Sequence, residues 1–233
     1  MMRGVTNDLT ILERPVYGVS EAARLLGLRP DRARAWLDGY TRAGVRYPPV
    51  IRREPTGVDI VTWGEFVELG YLREYRRAGV PLQRLRPVVD ELRDAFRTPY
   101  PLATARPYVY DKELVLEVQE RHDLPAPIAI VVRSGQQVLL AEAARQFFRK
   151  VEFVPPNDGV ALRIRPAGPA SPVVLDPLVR FGRPVVSGVS TERLWELCDA
   201  GESIAQIASE YDLSEEDVRA GVAYEEQFRS LAA

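Results

Sequence analysis

Residues 17–40 read YGVSEAARLLGLRPDRARAWLDGY, and their pattern indicates the architecture of the first part of the chain. Apolar residues recur at helical spacing on both sides of Gly27, which predicts two short helices that share one core. Gly27 suits the positive φ of a sharp turn, Ser20 suits the N-cap of the first helix, and Pro30 suits the first turn of the second. Two short helices joined by such a turn are typical of a helix-turn-helix.

The second of these helices carries arginines on the side that faces away from the core. If Ala33, Trp36, Leu37 and Tyr40 face inward, Asp31 and Arg32 face outward and Arg34 lies at the flank. Residues 13–53 contain nine arginines and four carboxylates, a net formal charge of +5. Because phosphate backbones favour local positive charge, we expect this segment to bind nucleic acid. The predicted DNA-binding residues are Ser20, Arg29, Arg32, Arg34, Arg52 and Arg53.

Residues 48–63, PPVIRREPTGVDIVTW, predict a hairpin after the helix-turn-helix. Val50-Ile51 and Val58–Val61 are β-prone, and a turn signal separates them. We therefore expect a wing that carries Arg52 and Arg53. Thr62 and Glu65 form a capping-box pattern at the start of a long helix, and Pro81 opens another helix with an apolar stripe up to Phe96.

Over about residues 15–97 the chain resembles the winged helix-turn-helix of MerR-type regulators. The matching features are Val19, Ala23, Gly27, Arg34, Trp36 and the segment 71–87, YLREYRRAGVPLQRLRP. The chain departs from that family's pattern at Arg29, where a serine cap is common, and at Ala33, where leucine is usual. The resemblance implies that residues 1–100 form a DNA-binding domain.

The middle of the chain, residues 101–170, shows strand-like alternation and is predicted to be a small β-rich connecting region. We expect a strand at 108–118, a hairpin at 128–140 that turns at Ser134–Gln137, a short helix at 141–150, and strands in KVEFV (150–154) and ALRIR (161–165). Small sheets often need a partner to bury one face. Val131, Val132, Val138 and Leu139 therefore suggest a strand edge through which the chain forms a homodimer.

Residues 171–233 predict three short helices with a shared core and an acidic surface. Ser203 with Gln206 and Ser214 with Asp217 give capping-box patterns. Residues 190–226 contain two arginines and eleven carboxylates, a net formal charge of −9. We expect this region to avoid phosphates and to bind another protein.

This last region resembles a bacterial family of small antitoxin domains encoded beside PIN-like ribonuclease toxins. The resemblance is carried by Asp176-Pro177, Gly182–Gly188, Ala200–Ile204, Ile207-Ala208 and Leu213–Val218. It implies a PIN-type ribonuclease toxin as partner. A carboxylate-rich surface could cover the toxin's basic RNA cleft, or Arg180 and Arg183 could pair with its acidic catalytic cluster.

Several classes of function are excluded by what the sequence lacks. The single cysteine, Cys198, and single histidine, His122, leave almost no thiolate or imidazole ligands for a metal, and no recognised catalytic or nucleotide-binding motif occurs. We expect no cofactor, no metal and no enzymatic activity. With no apolar run long enough for a membrane span or a signal peptide, we expect a cytoplasmic protein.

Together these features predict an α+β protein of three parts. An N-terminal winged helix-turn-helix is followed by a small β-rich region and by a C-terminal helix-turn-helix-like trihelical domain. A MerR-like head joined to this tail resembles the VapB-type antitoxins, so the expected function is an antitoxin that neutralises a PIN-domain toxin and represses its own operon at operator DNA. The alternative is a MerR-like regulator that senses a small effector in its middle region.

Overall fold

The computed structural model describes residues 11–105, 112–123, 131–134, 137–153 and 159–230. The contacts between residues divide the chain into two compact units. The first runs to Phe148 and also contains Phe153–Ala161; the second contains Arg149–Glu152 and the chain from Leu162 onward. The domain boundary expected at residue 100 therefore falls inside the first unit.

The first unit combines helices with short antiparallel strand pairs. In chain order its elements are β1 (Pro15–Gly18), α1 (Val19–Leu25), α2 (Pro30–Asp38), β2 (Tyr40–Arg42), β3 (Val45–Tyr47), β4 (Ile60–Thr62), α3 (Trp63–Arg77), α4 (Leu82–Phe96), a 3-10 turn (Pro101–Ala103), α5 (Lys112–Arg121), β5 (Val131–Ser134), β6 (Gln137–Leu140) and α6 (Glu142–Phe148). The strand pairs are β1 with β4, β2 with β3, and β5 with β6. The fold is thus mixed, as expected, with an N-terminal helix-turn-helix.

Helices α1 and α2 form the predicted pair around Gly27, whose φ is +59°. Ala23 is fully buried, and its carbonyl accepts the Leu28 N–H at 2.8 Å across the turn. Pro30 is the first residue of α2, as predicted. The prediction that Ser20 caps α1 is wrong: the helix begins at Val19 after Gly18, and Ser20 is an exposed residue of its first turn.

The predicted position of the wing hairpin is also wrong. The hairpin that follows α2 is β2–β3, and β4 pairs instead with β1. Val50 and Ile51 are buried and donate their backbone N–H groups to the carbonyl of Trp36 at 3.0 and 3.1 Å. These β-prone residues are therefore buried against α2 without a strand partner, which is possible because β propensity largely reflects packing.

Helix α3 lies at the centre of the first unit. The predicted capping box is present: Thr62 Oγ1 accepts the Glu65 N–H, and the Glu65 carboxylate accepts the Thr62 N–H at 2.9 Å. Every residue from Trp63 to Leu72 is buried, so neighbours cover the helix on all sides. Gly64 lies against the ring of Tyr100 and Gly70 against that of Phe147, where a Cβ would overlap either ring.

Two further contacts join α3 to residues beyond position 100. The Trp63 indole N–H donates to the Ala161 carbonyl at 2.7 Å, and the Leu102 N–H donates to Glu68 Oε1 at 3.0 Å. Helix α3 therefore contacts the segments that follow it as well as the helix-turn-helix that precedes it.

The predicted strand at 108–118 is wrong where the structure describes it, because residues 112–121 form helix α5. Its buried residues Val115, Leu116, Val118 and Gln119 follow helical spacing. The hairpin β5–β6 and the short helix α6 are confirmed. Residues 135–136 of the predicted turn and the side chains of Val131, Val132, Val138 and Leu139 lie outside the described part of the chain.

The second unit is built around three helices and a short hairpin. Strands β7 (Val151–Phe153) and β8 (Ala161–Ile164) pair in a two-stranded sheet, and their residues 151–152 and 162–164 belong to this unit. These elements follow: a 3-10 turn (Arg180–Gly182), β9 (Val185–Val186), β10 (Val189–Ser190), α7 (Thr191–Asp199), α8 (Ile204–Tyr211) and α9 (Glu215–Ser230). Ser203 and Gln206 form the predicted capping box of α8. Residues of all three helices bury one core, with Leu194, Ile207 and Val218 fully buried.

None of the helices in the described ranges combines the length and the apolar character that crossing a membrane requires.

Candidate nucleic-acid interface

Helix α2 presents a cationic surface because its apolar residues all face one way. Ala33, Trp36 and Leu37 are buried and fix the helix against the first unit. Arg32 lies on the exposed side, as the spacing predicted, and Arg34, expected at the flank, is exposed as well. The guanidinium groups of this side are therefore available to a duplex that approaches α2. The prediction that Tyr40 faces inward is wrong, because it begins β2 and is 40% exposed.

The two predicted arginines Arg29, which precedes α2, and Arg34, which lies on it, form exposed ion pairs. Arg29 Nη2 lies 3.0 Å from Asp31 Oδ2, and their side chains are 78% and 68% exposed. The hydrogen bond from Arg29 lowers the pKa of Asp31 below its ordinary value. Arg34 pairs with Asp59, again on the surface. Exposed pairs contribute little to stability because solvent screens their charges, so either arginine can exchange its carboxylate for a phosphate at small cost.

The hairpin β2–β3 is the wing-like element that extends from the end of α2. Its two-residue turn, Ala43-Gly44, has φ values of +49° and +77°, as a type I′ turn requires. The rings of Tyr40 and Tyr47 stack across the strands with centroids 4.6 Å apart, which holds the hairpin together.

Arg42 and Arg46 are exposed on this hairpin, and sequence reasoning missed both as DNA-binding candidates. Their cross-strand neighbours are Val45 and Thr41 respectively, so the two arginines lie on opposite faces of the ribbon. The signal was present in YTRAGVRY (40–47), in which β-prone residues flank a turn dipeptide.

Arg52, predicted to grip DNA from the wing, is buried. Its side chain is 7% exposed and contacts two carboxylates, with Nε 2.7 Å from Glu65 Oε1 and Nη1 2.9 Å from Asp38 Oδ1. The guanidinium also donates to the hydroxyl of Thr56 and the carbonyl of Ile60. With its donors engaged inside the protein, the guanidinium of Arg52 does not belong to the exposed cationic surface.

The Arg52 cluster also fixes the ionisation of Asp38. Burial alone would raise the pKa of this carboxyl, but hydrogen bonds from the Thr56 N–H and from Arg52 outweigh it and hold the pKa below its ordinary value. Asp38 is therefore a carboxylate that joins the end of α2 to the loop before β4.

Arg53 is 64% exposed and pairs with Asp94 at 2.5 Å. It lies at an open pocket of about 380 Å³ in the first unit, whose lining residues are Arg53, Arg93, Asp94, Arg97, Thr98 and Pro99. Arg53 is the one of the two predicted wing arginines that solvent can reach.

The residues predicted to bind a toxin lie in the second unit. Arg180 and Arg183 are exposed in the loop before β9, and Arg180 Nε donates to the Gly188 carbonyl at 2.9 Å. The eleven carboxylates of 190–226 are mostly exposed, including Glu192, Glu196 and Glu216; Glu225, which is buried, accepts the hydroxyl of Thr191 at 2.9 Å. No cluster that could hold a metal ion occurs among the described residues.

A helix-turn-helix whose second helix carries exposed arginines is typical of DNA-binding helix-turn-helix proteins. Residues 15–89 match the family described as "Putative DNA-binding HTH domain", and residues 173–224 match the one described as "Protein of unknown function (DUF433)".

Two proteins of Mycobacterium tuberculosis resemble almost the whole chain. "Uncharacterized protein Rv2308" is 33% identical over 98% of this chain and 97% of its own length. "Putative antitoxin VapB45" is 30% identical over 88% of this chain and 91% of its own length. The chain belongs to the family that contains these two proteins.

A crystal structure of Rv2018 from Mycobacterium tuberculosis shares the fold. Its TM-score is 0.70 at 27% sequence identity, and the match covers 89% of this chain and 97% of that one. The likeness extends over both units described above.

Proposed function

We propose that this protein is the antitoxin of a type II toxin–antitoxin system. It binds its own operator DNA through α2 and the β2–β3 hairpin, and it neutralises a PIN-type ribonuclease toxin by direct binding. The observation that carries the DNA-binding part is the group of exposed arginines on these two adjacent elements: Arg29, Arg32, Arg34, Arg42 and Arg46. Membership of a family with a named antitoxin supports the toxin-binding part.

On DNA, α2 enters the major groove and the hairpin follows the backbone. A helix N-terminus in the groove places Arg32 and Arg34 at base edges, while arginines of the hairpin neutralise phosphates. In the free protein Arg29 and Arg34 pair with Asp31 and Asp59, and on binding these arginines exchange the carboxylates for DNA.

As in the MerR-type winged helix-turn-helix, the protein acts as a homodimer. Two copies present two recognition helices, so the operator contains two half-sites related by the symmetry of the dimer. Toxin binding falls to the second unit, whose acidic helices would be repelled by the same DNA.

Binding of the DNA upstream of the gene tests the first part. We expect the double variant Arg32→Ala, Arg34→Ala to lose about 30-fold or more in affinity, since each base-reading arginine contributes about 1–3 kcal/mol. The matched control is Arg193→Ala, Arg219→Ala, which removes two exposed arginines from the second unit and changes the net charge equally. Equal affinity of the two double variants would refute the assigned surface.

Co-expression with the product of the neighbouring gene tests the second part. The proposal requires a stable complex and relief of ribonuclease toxicity. An unrelieved toxic phenotype together with separate elution of the two proteins would refute it.

A further inference from the structure

A strained loop in the second unit displays apolar side chains to solvent. Phe181 is 70% exposed and Leu178, three residues earlier, is 54% exposed. Phe181 is the most exposed large hydrophobic residue in the described part of the chain. Exposed aromatic residues of this kind are frequent anchors of protein–protein interfaces.

The backbone of this loop is unusual as well. Arg180 and Phe181 have φ values of +46° and +55°, and Gly182 continues the left-handed run at +81°. Non-glycine residues in this conformation are strained, and such strain persists where the surrounding structure imposes it. The exposed position of Phe181 is therefore accompanied by backbone strain, which lowers stability.

Hydrogen bonds hold the loop in this shape. The Val179 N–H donates to the Asp176 carbonyl and the Gly182 N–H to the Val179 carbonyl, both at 2.9 Å. The Leu178 N–H donates to Asp176 Oδ1 at 2.8 Å. Because the loop is fixed before binding, a partner does not bear the entropy cost of ordering it.

The charge around Phe181 differs from that of the helices that follow. Residues 176–189 contain Arg180 and Arg183 against the single carboxylate Asp176, whereas residues 190–226 carry a net charge of −9. Arg180 Nε is bonded to the Gly188 carbonyl, which ties the loop to the turn of the β9–β10 hairpin. An aromatic anchor flanked by arginines fits a protein surface with an apolar pocket rimmed by carboxylates.

We propose that the loop Leu178–Arg183 is the anchor by which the protein holds its toxin, with Phe181 inserted into an apolar pocket beside the toxin's carboxylates. The proposal rests on the proposed function and extends it, since it names the surface and the chemistry that it meets. Arg180 and Arg183 pair with the rim of the pocket, and the acidic helices α7–α9 lie outside the anchor.

The toxin co-expressed with the full-length chain provides the test. Phe181→Ala should weaken the purified complex by about 30-fold or more, the loss typical of an interface anchor. Phe181→Gly should weaken it equally while leaving the melting temperature at or above that of the wild type, because glycine relieves the positive φ. The control, Val58→Ala, truncates a side chain of the first unit that is 50% exposed and should not change the affinity.

The possible outcomes separate the two proposals. A wild-type complex that Phe181→Ala does not weaken overturns the anchor and leaves the antitoxin function standing. Light scattering of the chain alone that shows a smaller oligomer for Phe181→Ala also overturns it, since the occupant would then be a second copy. Failure of the wild type to bind the toxin refutes the proposed function itself.

Discussion

The Nε atom of Arg52 donates to Oε1 of Glu65 at 2.7 Å, and the other oxygen of the same carboxylate accepts the Thr62 N–H at 2.9 Å. One glutamate therefore both caps α3 and holds a buried guanidinium. Through Asp38 the same guanidinium reaches the end of α2. The helix that is proposed to read DNA is thus held in position partly by a buried arginine at its C-terminal end.

We expect Arg52→Ala to lower the free energy of unfolding by about 3–5 kcal/mol, because it leaves two poorly exposed carboxylates without their cation. Urea denaturation followed by circular dichroism measures this loss. The control, Arg53→Ala, removes a side chain that is 64% exposed and should leave the free energy of unfolding almost unchanged. Similar losses in the two variants would contradict the structural role of Arg52.

Removal of the hairpin arginines should weaken DNA binding without changing its specificity. Phosphate contacts carry no base information, so Arg42→Ala and Arg46→Ala should reduce affinity for all sequences alike. Each should also lower the slope of log affinity against log salt by about 1. Titrations at several salt concentrations, on operator and on unrelated DNA, measure both effects. An unchanged slope in both variants would exclude the hairpin from the interface.

Glu68 should make stability depend on pH in the direction opposite to most carboxylates. Burial raises its pKa to about 7, although Arg93 and the Leu102 N–H partly oppose the shift. An unfolded glutamate has an ordinary pKa of 4.5, so between these values the folded state binds more protons than the unfolded state. The free energy of unfolding therefore falls as pH rises through this window, by up to about 3 kcal/mol.

Glu68→Gln provides the comparison, because an amide oxygen can still accept the Leu102 N–H but does not titrate. We expect its stability curve between pH 5 and pH 8 to be flatter than that of the wild type, the other titrating groups being common to both. Parallel curves would show that Glu68 keeps an ordinary pKa in the folded protein.

Gly70→Ala should destabilise the first unit through overpacking, because the added Cβ would overlap the buried ring of Phe147. The expected loss is about 1–3 kcal/mol. In a Phe147→Ala background the same change should become neutral or favourable, since alanine is the better helix former by about 1 kcal/mol. A double-mutant cycle measured by thermal unfolding checks this reversal. Additive changes in stability would show that residue 70 and the ring of Phe147 are not energetically coupled.

Local signals were sufficient for much of the helical structure. Gly27 and Pro30 mark the turn and the start of α2, and the capping pairs Thr62/Glu65 and Ser203/Gln206 mark two further helices. Each of these signals acts within four residues, so sequence alone contains it.

The remaining features depend on contacts between distant residues. Val50 and Ile51 are as β-prone as strand residues, but their burial against Trp36 becomes visible only in the folded chain. Residues 112–121 alternate enough to imitate a strand, although their buried positions follow a helix. Arginine is usually a surface residue, so the sequence gives no sign that Arg52 is buried. Its partners Asp38 and Glu65 lie more than ten positions away.

The way α3 is enclosed has a consequence for how such proteins can diversify. Tyr100 covers Gly64, Leu102 bonds to Glu68, and the Ala161 carbonyl receives the Trp63 indole. A fragment ending at residue 100 would lose the contacts of Leu102 and Ala161 and would expose part of a helix whose residues 63–72 are all buried in the full chain. The N-terminal helix-turn-helix therefore cannot be exchanged by itself between proteins. A gene fusion that replaces it must also include the following sixty residues.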